Sequence, residues 1–406
     1  MKRLISILLA IVICLALFAC ADKSSTETTP TNSGDAQTAD SPQTNSGNAQ
    51  TSDSSTSPVA QTGTLTGYID DAVDHFARPT YQIAFVSTVF QFLQQAWYAA
   101  MQEFEPVLNI KVTSVSAEND SDAYLSNLEL LKSRGFDGAI VDCTPAYQVR
   151  ATEILEDSGI PYLAFVNTIL DDNGKTVCPN VILDQYKAGV KIMEWLLANF
   201  ENEEYFGKID ITKLGAIEIG YSTNVDLNAR SEGAADTFKA MYPDNPHFFT
   251  DATTAGGLTP DAAYAIVSAT VSAHPEIEYW FVSGCTEFFG PGAARAFDDL
   301  GKESVAMVCT FGHGPNVVDW ESMTPDTVSA NVACLMVPDL LYSVPAVAGI
   351  VALIDGRATK ETLWLEKTPE NYKYGNDYGV WEVENRVVTR WNYQDYIDET
   401  QKLMFG

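Results

Sequence analysis

The chain has 406 residues, 46% of them apolar and 11% aromatic, enough for a large core divided between two domains and too apolar for a chain disordered throughout. Lysine and arginine number 24 against 54 aspartates and glutamates, a formal charge of −30. A field of that sign repels phosphate backbones and anionic headgroups, so nucleic-acid binding is excluded as a function.

The chain opens with Lys2 and Arg3 followed by an apolar run from Leu4 to Ala19. That run is short of the roughly 20 residues a spanning helix needs, and the pattern is that of an export signal. Its end, Leu17-Phe18-Ala19-Cys20, is similar to the lipobox of bacterial lipoproteins, which implies a leader over residues 1–19 and lipid on Cys20. Residues 20–66 then form a lipidated, disordered tether. Twenty of residues 21–66 are Ser or Thr, and Thr31–Thr38 recurs in slightly altered form as Thr44–Thr51, so nothing there offsets chain entropy by burial. The seven cysteines include Cys14 in the leader and Cys20. The remaining five, Cys143, Cys178, Cys285, Cys309 and Cys334, show no C-x-x-C spacing and are read as small core residues.

From about Gly67 short apolar runs alternate with amphipathic stretches. Strands are predicted at Gln82 to Ser87, Ile110 to Val115, Gly138 to Val141 and Pro161 to Val166. Helices are predicted at Phe92 to Glu105, Ala123 to Arg134 and Tyr147 to Asp157. The pattern restarts after Val190 to Phe200, with strands at Lys213 to Ile219, Tyr279 to Val282 and Val305 to Thr310. Helices there are predicted at Arg230 to Met241, Pro260 to Ala273 and Gly292 to Leu300. Continuous apolar strands alternating with helices predict an α/β protein with two doubly wound parallel-sheet lobes. Residues 67–184 plus about 336–365 are assigned to the first lobe, and 185–335 plus about 366–406 to the second. The crossings between lobes are placed near Asp184, at Cys334 to Val337 and at Thr362 to Lys367. Two terminal runs, Val380 to Val383 and Val387 to Trp391, are predicted to form a hairpin.

Ile83 to Thr88 followed by aromatic residues, Leu130 to Val141 and Ser158-Gly159-Ile160-Pro161-Tyr162 together resemble the type I periplasmic-binding-protein fold. So do Asp184 with Ala188-Gly189, Arg230-Ser231-Glu232-Gly233 and Ala273-His274-Pro275-Glu276-Ile277. The resemblance runs from Tyr81 to about Arg390 and points to the sugar-type receptors of ABC importers related to the ribose-binding protein. It implies an extracytoplasmic, membrane-anchored, monomeric receptor that closes two lobes on a small polar molecule and delivers it to an ABC permease, with no cofactor, metal or catalytic residue. A ligand sensor that signals to a membrane kinase or chemoreceptor is the alternative.

In open parallel sheets ligands sit beyond the carboxyl ends of strands, which selects candidates along the chain. Phe90, Gln91 and Phe92 follow the first strand, and a ring there stacks on a flat apolar ligand face or joins the helix core. Where the ribose-type receptors place an Asp-Arg pair, this chain has Val166-Asn167-Thr168, leaving Asn167. Tyr221, Asn224 and Arg230 follow the strand ending at Ile219, and Arg230, on the family's arginine position, offers a guanidinium fork to the ligand or else a surface ion pair. Glu287 and His313 stand where the family's Asn-Asp and aspartate are replaced, so an ordinary aldose is not implied. The same two residues are the sole basis for a hydrolase alternative.

Overall fold

The computed structural model of the protein describes residues 69–70, 72–370 and 372–405. The leader, Cys20 and the tether assigned from the sequence lie outside them. The first lobe begins with β1 (Tyr81–Ser87), α1 (Phe92–Gln102), α2 (Glu105–Leu108), β2 (Ile110–Ser116) and α3 (Ser121–Leu130). It continues through β3 (Gly138–Asp142), α4 (Gln148–Ser158), β4 (Tyr162–Val166) and β5 (Asn180–Ile182). The second lobe holds α5 (Gln185–Asn199), β6 (Leu214–Gly220), α6 (Val225–Met241), β7 (His247–Asp251), α7 (Pro260–Ala273) and β8 (Tyr279–Gly284). After these come α8 (Phe289–Asp299), β9 (Ala306–Phe311), α9 (Gly314–Glu321) and β10 (Asn331–Met336). The chain returns to the first lobe for α10 (Asp339–Ile354) and β11 (Val380–Glu382), then ends on the second with β12 (Arg386–Thr389) and α11 (Tyr393–Phe405).

Each lobe is built on a six-stranded sheet, in the orders β11-β5-β4-β3-β1-β2 and β12-β10-β9-β8-β6-β7. All pairs are parallel except β10 with β12. Strands β3, β4, β6, β9 and β10 are buried along their whole length, as strands covered by helices on both faces must be. Side-chain caps fix where several helices start. Asp120 accepts from the Ala123 amide at 2.9 Å, Asp184 from the Lys187 amide at 3.0 Å, and Asn224 from the amides of Asp226 and Leu227. Helices α5 and α6 touch backbone to backbone. A Cβ on Gly189 would lie 1.7 Å from the Arg230 carbonyl oxygen, and one on Gly233 would lie 2.1 Å from that of Tyr186, so only glycine fits either position.

Several elements depart from the sequence expectation. Val380–Glu382 and Arg386–Thr389 do not form a hairpin: the first pairs in parallel with β5, and the second runs antiparallel to β10 in the other sheet. Two short apolar runs with three polar residues between them carry no local mark of which sheet each joins. The residues between them, Val383 to Asn385, therefore make the third crossing, and Tyr342 pins it by donating from its hydroxyl to Asn385 Oδ1 at 3.0 Å. Thr362 to Lys367 stays on the first lobe, where Leu363 and Trp364 are core residues. Cys334 belongs to β10, and the second crossing is Val337-Pro338. Trp381 packs edge-on to Trp364 at 5.8 Å, and Trp391 meets Tyr205 at 5.9 Å. Cys143, Cys178, Cys285, Cys309 and Cys334 are all buried and unpaired.

Candidate functional site

A cleft of about 420 Å³ opens between the lobes. Its walls come from segments at the carboxyl ends of strands: Thr88 after β1, Asp142 at the end of β3, Asn167 after β4, Tyr221 after β6 and Thr286-Glu287 after β8. The first turns of α1 and α6 supply Phe92, Gln94, Asn224 and Asp226.

One hydrogen-bonded chain crosses the cleft floor. Asp142, 4% exposed, accepts from Asn167 Nδ2 at 2.8 Å and from Gln94 Nε2 at 3.4 Å. Asn167 Oδ1 accepts from Gln185 Nε2 at 3.4 Å, and Gln185 Oε1 accepts from Arg230 Nε at 2.7 Å. Arg230 Nη1 in turn donates to the Cys285 carbonyl at 2.7 Å, and its guanidinium lies 3.4 Å above the Phe311 ring. The chain therefore joins β3 and β4 of the first lobe to α5, α6 and β8 of the second.

Backbone strain helps aim this chain. Val166 has φ of +65°, a region a β-branched residue rarely enters, and the Asn167 amide donates back to the Phe165 carbonyl at 2.7 Å. Such a three-residue turn costs on the order of 1–3 kcal/mol. Here it ends β4 abruptly and turns Asn167 toward Asp142.

Burial governs the charges. Removal from water pushes the Asp142 carboxyl up to about 6, and its two amide donors pull in the other direction. Burial lowers the Arg230 guanidinium to about 10 and raises the Glu287 carboxyl, whose Oε2 accepts from Thr286 Oγ1 at 3.0 Å and packs against Gly312. Asp226 is also raised by burial, while Arg230 and Lys373 oppose the shift.

Of the residues selected from the sequence, Gln91, Phe92, Asn167, Tyr221, Asn224, Arg230 and Glu287 line this cleft. Two selected residues lie elsewhere. Phe90 is half-buried and turns against Tyr98, ring centroids 5.7 Å apart. His313 faces a separate groove between α1, α11 and the second crossing, where its Nε2 lies 3.9 Å from Asp339 Oδ2. Burial lowers His313 to about 4 and raises Asp339 to about 7. His313 thus lies outside the residues that line the cleft with Glu287, although its ring meets Phe92 of the cleft edge-on at 6.2 Å. Arg230 is not the surface ion pair weighed for it either: it is buried and hydrogen-bonded to uncharged groups.

Sequence reasoning missed Asp142, Gln94, Trp97, Gln185 and Asp226, all of which line the cleft. Asp142 could have been found, because it directly follows the apolar run Gly138 to Val141. Trp97 could not, because it sits at a core position of an amphipathic helix and packs on Phe165 and Tyr342.

No family model matches this sequence, and no curated relative does. Solved structures do match. A solute-binding protein of the 5-methylthioribose transporter of Thermotoga lettingae, in complex with 5-methylthioribose, superposes with a TM-score of 0.59 at 19% identity, over 80% of this chain and 91% of that one. A periplasmic ABC-transporter solute-binding protein of Actinobacillus succinogenes with bound D-allose gives 0.59 at 17% identity, over 79% and 100%. One from Bacillus halodurans with bound myo-inositol gives 0.57 at 16%, over 79% and 98%. The chain thus shares the two-lobed α/β fold of these solute-binding proteins.

Proposed function

We propose that this protein is an extracytoplasmic receptor that captures a small polar, sugar-like molecule between its lobes and presents it to an ABC permease. The observation that carries the reading is the cleft itself: polar groups from both lobes converge at the carboxyl ends of the strands, with the rings of Phe92, Trp97 and Tyr221 among them. Three crossings join the lobes, and so few connections allow hinge closure around a ligand. Similarly folded proteins hold 5-methylthioribose, D-allose and myo-inositol, which supports the ligand class. The groups around the cleft bind and orient; with His313 outside the residues that line it, the arrangement favours capture over catalysis.

The lipobox-like Leu17-Phe18-Ala19-Cys20 and the Ser/Thr-rich stretch after it complete the proposal. Lipid on Cys20 holds the protein at the outer face of the cytoplasmic membrane as a tethered monomer. Native mass spectrometry of protein purified without refolding tests the capture reading, and the expected result is a bound small molecule that exchanges for added ligand unchanged. Chemical turnover of that molecule would overturn it. Cys20→Ser protein should lose detergent partitioning or remain unprocessed, and wild-type processing with wild-type partitioning would overturn the anchor.

A further inference from the structure

The cleft is unevenly charged. Asp142 of the first lobe and Asp226 and Glu287 of the second line it, against Arg230 as the cation among the lining residues. Arg230 is partly committed, since Nε and Nη1 donate to Gln185 and Cys285 and its face rests on Phe311, with three of its five N–H donors left over. Among the described residues it enters no ion pair. Asp226 accepts no side-chain hydrogen bond and enters no ion pair either. The other cation acting on it, Lys373, is exposed and sits 4.6 Å above the Tyr374 ring. Asp142 accepts one amide donor at each oxygen, which leaves each oxygen a further lone pair.

Asp142 and Asp226 come from opposite lobes and line the same cleft. Drawing two carboxylates together opposes closure unless a proton or a cation is shared between them. Phe92 and Trp97 stand in the same wall, and ring faces attract cations once water is excluded.

We propose that the ligand is a small sugar-like molecule carrying an amino group, whose ammonium bridges Asp142 and Asp226 and draws the lobes together. This rests on the receptor reading and narrows it. A carboxylate-bearing ligand is disfavoured by the same groups, because Asp142, Asp226 and Glu287 outnumber the one guanidinium that would meet it.

The test titrates the full chain, purified in mild detergent, with D-glucosamine, D-galactosamine and D-mannosamine against D-glucose, D-galactose and D-mannose, following tryptophan fluorescence and calorimetry at neutral pH. At least one amino sugar should bind about 10- to 100-fold tighter than its hydroxyl counterpart, the range expected for a charge-assisted hydrogen bond in a closed site. Asp226→Asn should abolish that preference while leaving the thermal unfolding midpoint of the free protein no lower than wild type. Equal or tighter binding of the neutral sugars, or a preference that survives in Asp226→Asn, overturns the amine while the receptor stands. If no amino sugar binds, the amine proposal also falls, and the receptor reading is judged separately by what co-purifies with the protein.

Discussion

The two lobes repeat one strand order, yet they meet the cleft in opposite ways. The first presents Asp142 and Asn167 joined by hydrogen bonds that leave acceptor capacity free. The second buries Arg230 and Glu287, each hydrogen-bonded to protein groups, beside a half-buried Asp226 that accepts no side-chain hydrogen bond among the described residues. The equivalent scaffolds thus differ at the cleft: the first lobe offers free acceptors, and the second is a platform braced around Arg230 that adds Asp226. The brace is the α5–α6 contact. Gly189 and Gly233 let these helices touch, which fixes the stretch of α6 that carries Arg230 beside Gln185 of α5.

The largest effect should come from breaking that brace. In Gly189→Ala the new methyl carbon would stand 1.7 Å from the Arg230 carbonyl oxygen and 2.7 Å from its carbon, both backbone atoms that cannot swing aside. The helices must separate, at an expected cost of about 3 kcal/mol or more in urea unfolding. Gly314→Ala, at the start of α9, is the matched control. Its methyl would meet the Phe92 ring at 2.3 Å, but that ring is 41% exposed and can rotate outward, so a loss below about 1 kcal/mol is expected. Equal losses in the two variants would remove the distinction between a braced platform and an adjustable ring.

Arg230→Ala comes next. The sequence expectation made Arg230 a ligand fork, whose removal would spare the free protein. Here it satisfies Gln185 Oε1 and the buried Cys285 carbonyl and covers Phe311. Truncation strands those acceptors and opens space beneath the ring, so the free protein should lose about 2–4 kcal/mol. Wild-type stability with lost ligand binding would return Arg230 to the role read from the sequence.

These contrasts mark how far the sequence could be read. The two-lobe α/β order was legible because strands such as Gly138 to Val141 and Tyr279 to Val282 are unbroken apolar runs, and burial on both faces requires such runs. Ala188-Gly189 and Arg230-Ser231-Glu232-Gly233 were legible as motifs, although nothing local shows that the two glycines face each other's helix. Asn180–Ile182 is three residues long, and His247–Asp251 is a part-exposed edge strand carrying His and Asp, so neither stands out by periodicity. The crossing at Val383 to Asn385 depends on partners about 200 residues earlier for one strand and about 50 for the other. Asp142 was passed over for a related reason. Its meaning comes from Asn167, Gln94 and the opposite lobe, and none of these is near it in the chain.

The smallest of these effects tests the first lobe by pH. The Asp142 carboxyl moves from 3.8 to about 6 on folding, so between these values the folded protein holds more proton than the unfolded chain. Stability contributed by this group is therefore full below about pH 4 and is lost as pH rises toward 6, by on the order of 2 kcal/mol. Asp339, raised to about 7 on the hinge side, adds a slope of the same sign that continues to higher pH. General repulsion in a chain of formal charge −30 also grows in this range, so the informative quantity is the difference between wild type and Asp142→Asn. The variant should keep the Asp339 part of the slope and lose the part between pH 4 and 6, measured as urea unfolding free energy at half-unit steps. Its amide can still accept from Asn167 or Gln94, though not from both at separate oxygens, so some stability is lost even at low pH. Superimposable pH slopes for the two proteins would mean that Asp142 is ionised as readily as a surface carboxylate. The first lobe would then hold its charge without cost, and the contrast between a titratable first lobe and a braced second one would fail at its first-lobe end.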